Sequence, residues 1–164
     1  MSKEKISDRI FENLCFPDGF WYEDSIFEYC IYHFWKKKYT IENDVYAYRY
    51  NLNGITYKSR GNVKSIDHYW IMLYLWDWIK DKQILRSDEW LQIRMLDDMV
   101  LGYSRTKDLD EKTVQFGFVV LRKHYLSSFA NSPRQQNKYI LLDKSIRKKD
   151  FGQFKLLCDR WRYL

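Results

Sequence analysis

Between Ser65 and Ile79 the chain reads Ser-Ile-Asp-His-Tyr-Trp-Ile-Met-Leu-Tyr-Leu-Trp-Asp-Trp-Ile, and a helix drawn through it is apolar on nearly every side. Such a helix is stable in water only when other elements cover it, so it belongs at the buried centre of a domain. Its longest unbroken apolar run, Tyr69 to Trp76, has eight residues, far short of the roughly 18 that a membrane span needs. The segment therefore predicts a central helix over about 66–80. Chain breakers are scarce, with 6 Gly and 2 Pro in 164 residues, which argues against a disordered, collagen-like or turn-dense all-β chain. A chain of this size buries roughly 70% of its unfolded surface, enough for a core without disulfides.

Further helices are expected on both sides of the centre. Ile6, Ile10 and Leu14 mark a short one that Pro17-Asp18-Gly19 ends. Ser25 and Glu28 form a capping box for the next, running to about Lys38, with Lys36-Lys37-Lys38 in its last turn,. After the central segment, Ser87 is the expected cap of a helix carrying Trp90, Leu96 and Val100 and closed by Gly102,. Asp108 and Glu111 form a second box ahead of Val114, Phe118, Leu121 and Tyr125, predicting a helix to about Phe129; Val114 to Val120 also reads as a strand, and Gly117 weakens both readings,. Tyr139 to Leu142 is expected to be a short strand, and a closing helix from about Asp150 places Phe151, Phe154, Leu157 or Cys158, and Trp161 on one side.

In residues 45–59 the period changes to two: Val45-Tyr46-Ala47-Tyr48-Arg49-Tyr50, then Asn53-Gly54, then Ile55-Thr56-Tyr57-Lys58. Asn-Gly suits the positive-φ positions of a type I′ turn, so a β-hairpin is expected in which Leu52 faces Ile55, Tyr50 faces Tyr57 and Arg49 faces Lys58. The predicted class is α+β, mainly α, with five to six helices around the 66–80 helix and one hairpin at about 45–59. No repeat or linker divides the chain, so 1–164 is read as a single domain, with the basic C-terminal segment 134–164 packed on it.

Charge is uneven. The total of +6 resolves into −3 over residues 1–44, +4 over 45–66, −3 over 67–112 and +8 over 113–164. Met1 to Arg9 alternates charges and lacks the apolar core of a secretory signal,. Cys15, Cys30 and Cys158 are odd in number and widely spaced, which fits reduced thiols in a cytoplasmic protein,.

Motifs that carry chemistry are few. Cys30 and His33 share a helix face, half of a metal or nucleophile–base pair, but no second ligand pair exists, so no metal and no cofactor are expected,. Asp77, inside the most apolar segment, invites a general acid reading through burial; its plainer reading is a structural partner to a nearby side chain. Arg94 and Asp98 read as an ordinary helix-surface pair. No phosphate loop or catalytic signature is present. Tyr, Trp and Arg are the residue types that anchor interfaces, and the chain has 7 Trp, 14 Tyr and 10 Phe,. The expected function is thus a non-catalytic protein-binding inhibitor or adaptor, of the kind exemplified by immunity proteins or phage inhibitors. Its expected contact surface is the hairpin: Tyr46, Tyr48, Arg49, Tyr50, Tyr57, Lys58 and Arg60. The alternative is a nucleic-acid-binding accessory protein using Lys144, Arg147, Lys148, Lys149, Arg160 and Arg162 beside aromatic rings.

Overall fold

The computed structural model describes residues 19–26, 51, 54, 61–81, 88–133 and 139–161. A 3-10 turn, Val63–Ile66, starts at Asn62, whose side chain accepts the Lys64 amide at 2.9 Å. It leads into α1 (Asp67–Asp81), α2 (Asp88–Thr106), α3 (Glu111–Phe129), α4 (Tyr139–Arg147) and α5 (Phe151–Asp159). The described residues contain no strand.

α1 lies against both α2 and α3, burying His68, Tyr69, Ile71, Met72, Leu75, Trp76 and Ile79. Tyr69 sets the approach of the three long helices. A Cβ on Gly117 of α3 would stand 2.2 Å from its Cε2 and Cζ, and a Cβ on Gly102 of α2 would stand 3.0 Å from Cε1 at the opposite ring edge. At Gly117 a side chain would collide with the ring, and at Gly102 it would crowd it. The Tyr69 hydroxyl bonds the Thr106 hydroxyl, which in turn donates to the Gly102 carbonyl at 2.7 Å. Burial pushes the Tyr69 phenol up to about 12, so it stays a donor,.

The C-terminal helices are joined through two arginines that cap each other's helices. Arg147 of α4 bonds the carbonyls of Phe129 at 2.6 Å, Ala130 at 2.7 Å and Ser132 at 3.0 Å, covering the end of α3. Arg122 of α3 bonds the carbonyls of Ile146 at 2.6 Å and Arg147 at 3.0 Å, covering the end of α4. Helix ends expose four unpaired carbonyls, and a guanidinium fork meets several at once. Arg147 also holds the buried Asp143 carboxylate at 2.8 Å; that carboxylate accepts the Tyr125 hydroxyl at 2.6 Å, and Gln92 donates to Tyr125 at 2.8 Å. α4 then stops where Asp150 N meets Ser145 O at 2.9 Å and Lys149, at φ 57, turns the chain into the left-handed region,. Asp150 starts α5 by accepting the Gln153 amide, and Phe118 packs its ring 5.4 Å from Phe151 and 4.7 Å from Phe154.

Several expectations are corrected. The mixed α+β class gives way to a helical fold among the described residues, with no hairpin supported. Apart from Asn51 and Gly54, the 45–59 segment lies outside those residues. The Gly54 amide bonds the Asn51 carbonyl at 2.9 Å, whereas the predicted register pairs Leu52 with Ile55. Tyr139–Leu142 is the start of α4: Leu142 and Ile146, four apart, are both buried, a helical spacing that a four-residue apolar run could not reveal,. Gly102 does not end α2, which continues to Thr106. The cap of α3 is Asp110, accepting the Thr113 amide at 3.0 Å, and not the Asp108–Glu111 box. Residues 24–26 are already helical, so that turn begins ahead of Ser25. Residues 114–120 are helical, and the closing helix begins after Asp150 as the periodicity predicts. The expected N-terminal helix over 3–15 and the Ser87 cap lie outside the described residues.

Gly117→Ala should lower stability by about 2 kcal/mol. The added methyl must displace the Tyr69 ring or push α1 and α3 away from each other, which overcomes the roughly 1 kcal/mol that alanine gains over glycine in a helix. Arg147→Ala should cost about 3 kcal/mol, because it leaves the Asp143 carboxylate buried without its partner. Lys148→Ala, at an exposed position, should change stability by less than about 0.5 kcal/mol. Urea unfolding followed by tryptophan fluorescence checks all three.

Candidate functional site

The groove is built on the outward side of α1. With Tyr69 turned inward, Trp70, Leu73, Tyr74 and Asp77 follow one another at spacings of three, one and three along a single face,. Phe20 joins them from the segment before the helix. That segment is held to α1 because the Trp21 amide donates to Asp67 Oδ2 at 3.0 Å. The Tyr22 ring meets His68 edge-on at 5.4 Å, while the Arg105 guanidinium lies 3.9 Å over it. Tyr22 adopts φ 70, a left-handed conformation that a non-glycine residue holds only against a steric cost, here opposed by these ring contacts,. Phe20, Trp70, Ile71, Leu73, Tyr74 and Asp77 line a groove of about 400 Å³. Phe20 is 41%, Trp70 49% and Tyr74 44% exposed.

His124 of α3 stands beside Asp77, the one carboxylate among the groove's described residues. Its Nε2 stands 2.9 Å from Asp77 Oδ1, and its ring stacks on Trp76 at 5.7 Å. Burial, then Lys80, hold the imidazole below its ordinary range against the pull of Asp77. The general-acid reading of Asp77 is corrected, since its side chain is 59% exposed and the burial that reading required is absent. Its plainer reading, a partner to a neighbouring histidine, describes the geometry. The thiol of Cys158 is buried and pushed upward, so it is a poor nucleophile,. Among the described residues no three His, Cys, Asp or Glu side chains converge as metal ligands.

The residues singled out from sequence separate into three groups. Tyr46, Tyr48, Arg49, Tyr50, Tyr57, Lys58 and Arg60 lie outside the described residues, as do Arg162, Cys30 and His33. Lys144, Lys148 and Lys149 are exposed at the end of α4, and Arg160 is exposed after α5. The nine residues of α5, roughly 13 Å long at 1.5 Å rise per residue, stand between Lys149 and Arg160,. Arg147 is removed from the anion-binding set, because its guanidinium is engaged by Asp143 and three carbonyls. Arg94–Asp98 is no surface pair either: Asp98 is 2% exposed and also accepts the Trp76 indole at 2.8 Å. Trp70 and Tyr74 carried no separate signal in a run that is apolar all round. Phe20 belongs to the groove only through the fold of its segment.

The buried His68 makes folding sensitive to pH. Its Nδ1 lies 2.5 Å from Arg105 Nη1, and because a guanidinium only donates, Nδ1 accepts and the ring is neutral,. Burial, then Arg105, hold it well below its ordinary range; the Asp98 backbone opposes them and Arg94 adds to them. An unfolded histidine titrates near 6.5, so the unfolded chain takes up a proton that folded His68 refuses. Stability is therefore full above about pH 6.5 and falls below it, by up to roughly 1.4 kcal/mol per pH unit for each such histidine. His124 acts in the same direction. The buried Asp98 carboxyl, raised by burial, opposes them at lower pH. The urea midpoint should drop between pH 7 and pH 5.5, and His68→Gln should flatten that slope.

No helix among the described residues is long and apolar enough to cross a membrane. Comparison of the chain with protein-family models, curated proteins and solved structures finds no match.

Proposed function

We propose that this chain is a non-catalytic protein-binding inhibitor or adaptor that holds its partner in the Phe20–Trp70–Tyr74 groove. The observation that carries this reading is three large rings, each more than two-fifths exposed, gathered around one concavity. Scattered exposed apolar residues are ordinary, whereas a contiguous aromatic patch with a polar edge is the pattern of an interface. Tyrosine and tryptophan supply large contact area at small entropic cost, which is why they dominate binding hot spots. The elements that build the groove are acidic although the whole chain is basic: Glu23, Asp24, Asp67, Asp77 and Asp81 are set against Lys80. The matching partner segment places an apolar side chain in the groove beside a lysine or arginine.

The nucleic-acid reading retains one favourable observation, the exposed run of Lys144, Lys148 and Lys149. A photo-crosslinking residue in place of Tyr74, used in the native host, identifies the groove's neighbour for titration as a purified protein. Trp70→Ala with Tyr74→Ala should weaken that binding at least about tenfold, while Lys144→Glu, Lys148→Glu and Lys149→Glu together leave it unchanged. Equal affinity of the groove variant overturns the proposal. Titration with labelled single- and double-stranded DNA and RNA at two salt concentrations tests the alternative. Affinity that falls steeply with salt and is lost in the triple lysine variant would establish nucleic acid as the partner.

A further inference from the structure

We propose that the outer face of α3 docks an acidic amphipathic helix. Lys112, Phe116, Val119 and Lys123 follow one another at spacings of four, three and four, the seam along which coiled-coil helices meet,. Phe116 is 59% and Val119 38% exposed, with both lysines exposed at the two ends. The core does not use this seam, because α3 buries Val114, Gly117, Phe118, Leu121, Tyr125 and Phe129 on its other side. α3 thus has two apolar stripes, and the core formed by the described residues covers one.

Charge decides what covers the other. Glu111, the carboxylate in the first turn of α3, is bound by Lys155 of α5 at 3.0 Å. Among the described residues neither Lys112 nor Lys123 is ion-paired. The seam is therefore apolar in the middle and positive at both ends. A second copy is a poor occupant: antiparallel pairing sets Lys112 against Lys123 of the copy, and parallel pairing sets each lysine against its own equivalent. Like charges so placed oppose association. A membrane surface is a poor occupant too, since helices that lie in a bilayer interface need a broad apolar face, and here two side chains make up the exposed stripe. A helix with leucines at the seam positions and glutamates flanking them meets both requirements. This surface lies on a different helix from the groove and does not depend on it.

The test uses a fluorescein-labelled peptide of about three heptads, with Leu at a and d and Glu at e and g, titrated with the full chain and followed by anisotropy. Saturable binding is expected, with a rise in peptide helicity by circular dichroism. Phe116→Ser should weaken it at least tenfold. Lys112→Glu with Lys123→Glu should abolish it and transfer binding to the matching peptide with Lys at e and g. Trp70→Ser should leave it unchanged, which separates this surface from the groove. No saturable binding, equal binding of a scrambled peptide, or indifference to Phe116→Ser overturns the proposal. So does a dimer in sedimentation, or binding to phosphatidylglycerol vesicles, that Phe116→Ser removes.

Discussion

Tyr69 stands where α1, α2 and α3 meet, with Gly117 against one edge of its ring and Gly102 against the other. Two helical glycines each forgo about 1 kcal/mol relative to alanine, and what they gain is close approach of backbone to a buried ring that is hydrogen-bonded to Thr106. The consequence reaches the surface. Successive residues of a helix are about 100° apart, so a Tyr69 locked inward fixes where every other side chain of α1 points. Met72 and Trp76 fall into the core at 0% exposure, while Trp70 and Tyr74 turn outward to form the groove with Phe20. Core packing and the candidate recognition surface are two results of one rotational setting.

The distribution of cations follows the same logic of shape. Arg94 and Arg147 reach the buried carboxylates Asp98 and Asp143, and Arg122 and Arg147 cap helix ends that would otherwise present bare carbonyls. A planar fork with five donors satisfies several acceptors in a fixed geometry, which a lysine ammonium cannot do. Lysines accordingly remain outside, as Lys112, Lys123, Lys144, Lys148 and Lys149 do. Arg147 is thereby withdrawn from the cations that the C-terminal segment offers to solvent, while Lys144, Lys148, Lys149 and Arg160 stay exposed among its described residues.

The aromatic excess divides in a similar way. Trp76, Tyr69 and Tyr125 are core residues, each with its polar atom bonded inside the fold. Phe20, Trp70, Tyr74 and Phe116 stand outside. The two surfaces they mark differ in the charge beside them: Asp77 lines the groove, and Lys112 and Lys123 end the α3 seam.

Periodicity made the long helices legible. α1 occupies nearly the 66–80 span that its apolar run predicts, α3 follows the spacing of Val114, Phe118, Leu121 and Tyr125, and α5 begins at the cap that Asp150 announces. These features are local, since a repeat of 3.6 residues or a cap is complete within one turn or two. Gly102 and Gly117 read as a stop and a weak point because a glycine's local meaning is flexibility; their value here lies in an absent side chain facing a ring from another helix. Arg147 read as a free cation because its acceptors are carbonyls 15 to 18 residues away. The sequence by itself determined the helical periods, the caps and the supply of rings and charges. Tertiary structure alone decided which rings and cations are left for a partner, because burial depends on contacts between segments that no single window of sequence contains.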